Sequence, residues 1–303
     1  MRFPHLATKM FNTPLALHPG KAEVVMAALA ERMGITHLMR TGGEGGSFDD
    51  PAAFSDRADD RPYQVVDGVA FVPVIGTLVQ RLGSIHPYSG MTGYDGIRAQ
   101  LALALEDPEV RAVMLDIDSA GGEVAGCFDL ADAIFAARGE KPIWAVLNEC
   151  AYSAAYAIAS ACDRITVPRT GGCGSIGVIA LLVDMSKALS TAGIKVNILQ
   201  FGAHKADGNE FEPLPKEARA RFQADVDTLG KLFTSTVARN RGMRVADVIA
   251  TQAATYLGAA GVKFRLADAV MAPNSAFRAL ARRVNRPAPP PPARSAAVPR
   301  RGR

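Results

Sequence analysis

The chain has 303 residues, room for one large domain or two modest ones, and its 49% hydrophobic and 21% charged content buries a sizeable core and excludes wholesale disorder. No run of about 18 uncharged apolar residues occurs, which argues against a transmembrane helix. The N-terminus MRFPHLATKMFNTPLALHPG is broken by Pro4, Lys9 and Pro14 and lacks the apolar centre of a secretory signal, so a cytoplasmic location is expected. The net charge of +4 comes from 34 bases and 30 acids, but eight arginines and no acid lie between Asn274 and Arg303, so the remainder is mildly acidic. A basic, proline-rich tail on such a body suits an interaction segment better than a specific nucleic-acid-binding domain.

Residues 20–34 carry a helical period ending at Gly34, within an N-terminal segment 1–40. Residues 41–61, rich in Gly, Asp and Ser, read as a flexible linker. A compact domain is expected over 62–272, followed by a disordered Arg/Pro-rich tail over 273–303. Within the domain, strands are expected at 69–75, 110–117, 142–147, 164–167 and 195–201, with an apolar stretch at 176–183. Helices are expected at 94–105 (closed by Asp107-Pro108), 124–138, 153–161, 185–192 and 216–240. This alternation marks an α/β fold with a largely parallel sheet and right-handed crossovers.

Three clusters of small residues fall at strand-to-helix junctions. Asp118-Ser119-Ala120-Gly121-Gly122 follows a buried strand, and a tight Gly-Gly turn there suits an oxyanion hole, a phosphate cradle or no ligand at all. Ser153 opens an alanine-rich helix; it serves either as an N-cap or as a hydroxyl presented at the sheet edge, with the Ala154 N–H aimed where an oxyanion forms. Gly172-Cys173-Gly174-Ser175-Ile176-Gly177 makes another compact turn, and Lys205 follows in GAHKADGN. Lys205 is solvated if exposed. Half-buried among Gly and Ala, it would lose charge more readily and could take a proton from a serine. His204 with Asp207 offers a weaker Ser–His alternative. The four cysteines (Cys127, Cys150, Cys162, Cys173) form no C-x-x-C pair and read as small buried residues, and no His/Cys/Asp cluster has metal-ligand spacing.

Together and in this order, SGMTGYDGIRAQLALALEDPEVRAVMLDIDSAGG, AYSAAYAIASACDRITVPRTGGCGSIGV, AHKADGNEFEPLPKEARARFQ and YLGAAGVKFRLADAV resemble the signal peptide peptidase A family and its phage branch, the prohead (capsid maturation) proteases. The resemblance covers about Val66 to Val270 and implies a Clp protease/crotonase-like fold of stacked β-β-α units. It implies Ser153 as nucleophile, Lys205 as general base, Ser175 as the residue orienting the lysine, and main-chain N–H groups of Gly121, Gly122 and Ala154 as the oxyanion hole. It also implies no cofactor or metal, a homo-oligomer, and protein substrates: scaffold, portal or coat proteins cleaved inside the prohead. Two departures stand out. Ala120 replaces the family's usual proline, and Arg265-Leu266-Ala267-Asp268 replaces Gly-Leu-Val-Asp. The segment PLALHPGKAEVVMAALAERMG resembles the leader of the phage branch, which favours it over the cellular proteases acting on membrane or signal peptides. A crotonase-like acyl-CoA enzyme using Glu123, or a catalytically silent scaffold protein, remains as a reading of another class.

Overall fold

The computed structural model describes residues 14–17 and 61–286. The helix expected at 20–34, nearly all of the linker and the end of the tail lie outside the described residues. Five strands form the parallel centre of a mixed sheet: β3 (Val69–Val79), β5 (Ala112–Glu123), β6 (Ile143–Tyr152), β7 (Arg164–Val167) and β11 (Ala269–Val270), each paired in parallel with the next. β2 (Gln64–Val66) runs antiparallel to β3, and the short β4 (Met91–Gly93) pairs with the end of β3. Helices connect the parallel strands: α1 (Tyr94–Glu106), α2 (Cys127–Ala136) and α3 (Ala154–Ser160). α1 stops where expected, because Asp107 precedes proline and takes an extended conformation (φ −70°, ψ 119°).

Past their midpoints β5 and β6 part company. They pair from Val113↔Ile143 to Ser119↔Ala151, with an irregularity after Ile117. Beyond it, β6 takes a new neighbour, β8 (Gly172–Gly174), which pairs in turn with β10 (Thr255–Leu257). β5 takes β1 (Pro14–Leu17), which pairs on its far side with β9 (Ile179–Ala180). A bulge of this kind bends a strand and re-aims its backbone. Here it opens the sheet just where Ser153 sits.

One face of the sheet carries the main core. Val113, Leu115 and Ile117 of β5 meet Ile97 and Leu101 of α1, Leu130 and Ile134 of α2, and the wholly buried α3. Phe233 and Val237 from the long α5 (Lys216–Arg241) close this layer. α3 is buried along its length because small side chains at nearly every position let it lie close to the sheet. Its C-terminal carbonyls, which the helix itself cannot satisfy, are met by the half-buried Arg138, which donates to the carbonyls of Ser160, Ala161, Cys162 and Asn240 at 2.6–3.2 Å.

The second face is covered by α8 (Pro273–Val284), whose Ala276, Leu280 and Ala281 bury against Val69, Ala112, Met114, Trp144 and Val146. The expected disordered tail is therefore corrected: its first twelve residues form a helix. Pro273 suits the first helical turn, and the apolar residues at i, i+4 and i+5 make a stripe that the sheet covers. A second correction concerns residues 195–201. They form no strand, and Leu199 and Phe201 are 97% and 101% exposed. The alternating pattern is there, but no described strand edge lies beside it, so the backbone has no ladder to join. This stretch belongs to an arm that also holds α4 (Ser186–Thr191), which buries no residue, and the mostly exposed first half of α5. α6 (Val245–Ile249) and α7 (Gly258–Lys263) complete the chain order.

Two stability measurements test this architecture. Arg138→Ala leaves several half-buried carbonyls unpaired at the end of α3 and is expected to lower unfolding free energy by about 3 kcal/mol in denaturant titrations. Asp116, on β5, is pushed up to about 6 by burial and by the neighbouring Asp118. The folded chain then holds a proton that the unfolded chain releases near pH 4, so wild-type stability falls as the pH rises from about 4 through 6. Asp116→Asn is expected to stabilise by roughly 1–3 kcal/mol at pH 8 and to give no gain below about pH 4.

Candidate active site

β6 ends at Tyr152 and α3 begins at Ala154, so Ser153 makes the whole reversal from strand to helix. It does so at φ 54°, ψ −121°, a conformation that L-residues with a side chain rarely adopt. The main chain around it is fully committed. The Ser153 N–H donates to the Gly174 carbonyl at 2.9 Å, and its own carbonyl accepts from Tyr156 and Ala157 at 2.8 and 3.0 Å. The side chain is buried, and its hydroxyl has one long contact, 3.4 Å to the Gly177 carbonyl. A strained residue at a junction fixed on both sides costs roughly 1–3 kcal/mol, which points to use of its side chain. No side-chain cap is made to α3, so the N-cap reading of the hydroxyl fails.

Gly121 and Gly122 lie beside it, but not in a turn. They are the last residues but one of β5, held between β3 and β1. The expected Gly-Gly turn is corrected for a packing reason: a Cβ on Gly122 would stand 1.8 Å from the Leu78 carbonyl oxygen, so these glycines permit close strand approach. At Gly121 (φ 102°) the same construction would stand 3.0 Å from the Ser153 Cβ and 2.2 Å from the Ala16 carbonyl oxygen. The Gly121 N–H is not free for an oxyanion: it donates to Ser119 Oγ at 3.1 Å, while that hydroxyl donates to the Gly76 carbonyl at 2.6 Å. Ser119, buried and unmarked by the sequence reading, thus holds the glycine strand in shape. Its spacing two residues before Gly121 is the only signal that could have shown it. The Ala154 N–H opens α3 and has no partner within the helix.

Ser175 follows Gly174, whose carbonyl receives the Ser153 N–H, and is itself buried at φ 56° with its N–H donating to the Ala254 carbonyl at 2.9 Å. Ser153, Ser175 and the Gly121-Gly122 strand are therefore brought together. Lys205 is not. It sits on an exposed turn of the arm, its N–H donating to the Gly202 carbonyl, and no hydrogen bond or ion pair joins its amine to Ser153 or Ser175. The expectation of a half-buried lysine is corrected: 195–201 form no strand, and Lys205 is exposed among the described residues. His204 and Asp207 do approach one another at 3.4 Å, but on that same turn, where Arg221 also grips Asp207, so they make no triad with Ser153.

Other nucleophiles and acids near the site are disarmed. Burial pushes the thiols of Cys150 and Cys173 up to about 12, so neither supplies thiolate at neutral pH, and all four cysteines are free. Glu123 is buried, and its carboxylate accepts from the Gln80 N–H at 2.6 Å, a structural commitment that counts against the acyl-CoA reading. Among the described residues no cluster of three or more His, Cys, Asp or Glu side chains could hold a metal, and no helix is long and apolar enough to cross a membrane.

Because Ser153 holds a positive φ, Ser153→Gly is expected to exceed Ser153→Ala in stability by about 1 kcal/mol, a rise of about 2–4 °C in Tm by calorimetry.

The family described as Peptidase family S49 matches residues 136–286, a span that takes in Ser153, Ser175 and Lys205. The chain is 42% identical over 289 residues to the head-tail preconnector protein GP5 of Enterobacteria phage P21, covering 93% of this chain and 58% of that protein. It is 40% identical over 274 residues to the capsid assembly protease C of Escherichia phage lambda, covering 88% and 62%. It is also 24% identical over 230 residues to Protease 4 of Haemophilus influenzae, covering 74% and 36%. The chain thus spans about three fifths of the length of the two phage proteins. Among solved structures, an enoyl-CoA hydratase/isomerase family member superposes with a TM-score of 0.41 at 18% identity, covering 73% of this chain and 74% of that one. With Ser153, Ser175 and Lys205 inside the matched span, and identity of 40% or more to two phage proteins over most of its length, the chain belongs to peptidase family S49.

Proposed function

We propose that the chain is a serine endopeptidase of the Ser–Lys type that matures a phage or prophage capsid by cleaving scaffold, portal or coat proteins. The observation that carries this reading is Ser153: buried, strained, and closely approached by a glycine strand. Identity of 40% and above to a phage head-tail preconnector protein and a phage capsid assembly protease, over most of the chain, supports the capsid branch over the cellular one. In the proposed step the Ser153 oxygen attacks a peptide carbonyl while its proton passes to the neutral amine of Lys205. The ammonium then protonates the departing amine, and water repeats the sequence on the acyl-enzyme. The N–H groups of Ala154 and Gly122 are the proposed oxyanion donors, each worth about 3 kcal/mol in the transition state. The role proposed for Ser175 is to orient the lysine amine.

The exposed position of Lys205 calls for one further element, association of copies. Leu199 and Phe201 lie bare a few residues before it. Covering them with a second copy would take the amine out of water, and desolvation favours the neutral form that a general base needs. No organic or metal cofactor enters this chemistry.

Purified chain incubated with coat or scaffold protein and followed by mass spectrometry tests the reading. Ser153→Ala and Lys205→Ala are each expected to lower turnover at least 10³-fold. A mixture of the two variants is expected to recover part of it if the sites are shared between copies. Undiminished cleavage by Ser153→Ala would overturn the assignment.

A further inference from the structure

In the sequence, PLAL falls within the segment that resembles the leader of the phage branch. Yet these four residues form β1, and its position is unusual. It runs antiparallel to both neighbours, with Leu15↔Glu123, Ala16↔Gly122 and Leu17↔Gly121 on one side and Pro14↔Ala180 and Leu15↔Ile179 on the other. Among the described residues β9 has no other strand partner, so without β1 the end of β5 and all of β9 would face each other as two unpaired edges across a strand-wide slot. Such paired edges are a ready template for an extended peptide, held by main-chain hydrogen bonds and read through its alternate side chains. The slot is lined by Gly121, where a Cβ would collide with the Ala16 carbonyl oxygen and stand 3.0 Å from the Ser153 Cβ, so β1 runs beside Ser153 across this glycine.

We propose that β1 is an internal occupant of the peptide-binding slot: the chain's own residues 14–17 lie where a substrate strand must lie, and cleavage of other proteins requires β1 to withdraw. This inference rests on the serine-peptidase reading for what happens once the slot is filled, but not for the slot itself. It also names a substrate class. Leu15 and Leu17 are buried against Ala120, Ile179 and Leu181, while Ala16, wholly buried, faces the other way into the main core. An accepted peptide is therefore extended, with a small residue flanked by two large apolar ones. Among the described residues β1 pairs only with β5 and β9, so it can leave the slot without breaking any pairing inside the parallel centre of the sheet.

The test uses the full chain carrying Ser153→Ala, so that binding is read without turnover, and a fluorescein-labelled peptide of the sequence FNTPLALHPG. With β1 intact, fluorescence anisotropy is expected to show weak binding. With Leu15→Asp and Leu17→Asp introduced into the chain, the peptide is expected to bind at least tenfold more tightly, and a peptide carrying the same two aspartates is expected not to bind. Should the aspartate chain fail to fold by circular dichroism, Leu15→Ala with Leu17→Ala serves instead, with a gain of at least threefold expected. Equal peptide affinity with and without the β1 substitutions in a folded chain would overturn the proposal, as would equal binding of the aspartate peptide. Peptide binding that rises as expected, alongside an otherwise active-site-intact chain that cuts nothing, would instead count against the peptidase reading and leave the slot standing.

Discussion

Everything at the site depends on the separation of β5 from β6 past Ser119. As long as the two strands pair, their ends are spoken for by one another. Once they diverge, the tip of β6 is free to turn sharply at Ser153, and the tip of β5 is free to offer a glycine edge to a different partner. The hydroxyl of Ser119 stabilises this divergence by spanning the bulge, accepting from Gly121 and donating to Gly76. The close contact of Gly122 with the Leu78 carbonyl keeps the diverging strand on β3 instead of letting it follow β6. Two glycines and a serine thus do with packing and two hydrogen bonds what a loop would do less firmly.

The scaffold beneath is stiff for identifiable reasons. Ser153 stands at the N-terminal end of α3 and Arg138 donates to the carbonyls at its C-terminal end, so both termini of a seven-residue helix are pinned. A helix that short has little stability of its own. Its order comes from complete burial and from these end contacts. The Tyr156 hydroxyl, donating to the Leu266 carbonyl at 2.9 Å, ties the same helix to the segment before β11. A serine mounted this way keeps its backbone orientation without help from a bound ligand.

Much of this was legible in the sequence, and the failures have physical causes. The parallel strands and their connecting helices announce themselves through hydrophobic period, and β7 is found at its expected residues, 164–167. Ser153 and Ser175 are recognisable from their motifs. Gly121-Gly122 reads as a turn because glycine pairs usually mark one; only the neighbouring carbonyl of Leu78, more than forty residues away, shows that close packing is the reason. α8 is hidden by its arginines, since a composition-based reading weighs charge over a narrow apolar stripe. Residues 195–201 carry a strand pattern with no edge to complete it, and that in turn leaves Lys205 exposed. β1 is four residues long, and its partners lie a hundred residues on, so no local signal could reveal it.

The conformation of Ser153 has a consequence for how such chains change over time. A side chain at φ 54° is kept against a local energetic preference for glycine, and selection preserves that kind of sacrifice only while the hydroxyl is in use. In descendants released from their chemistry, for instance copies retained merely as shell components, nothing would oppose drift toward the residue the backbone prefers. On the role proposed for Ser153, the identity of the amino acid at this one junction is a historical marker, separating lineages that still cut from those that only assemble.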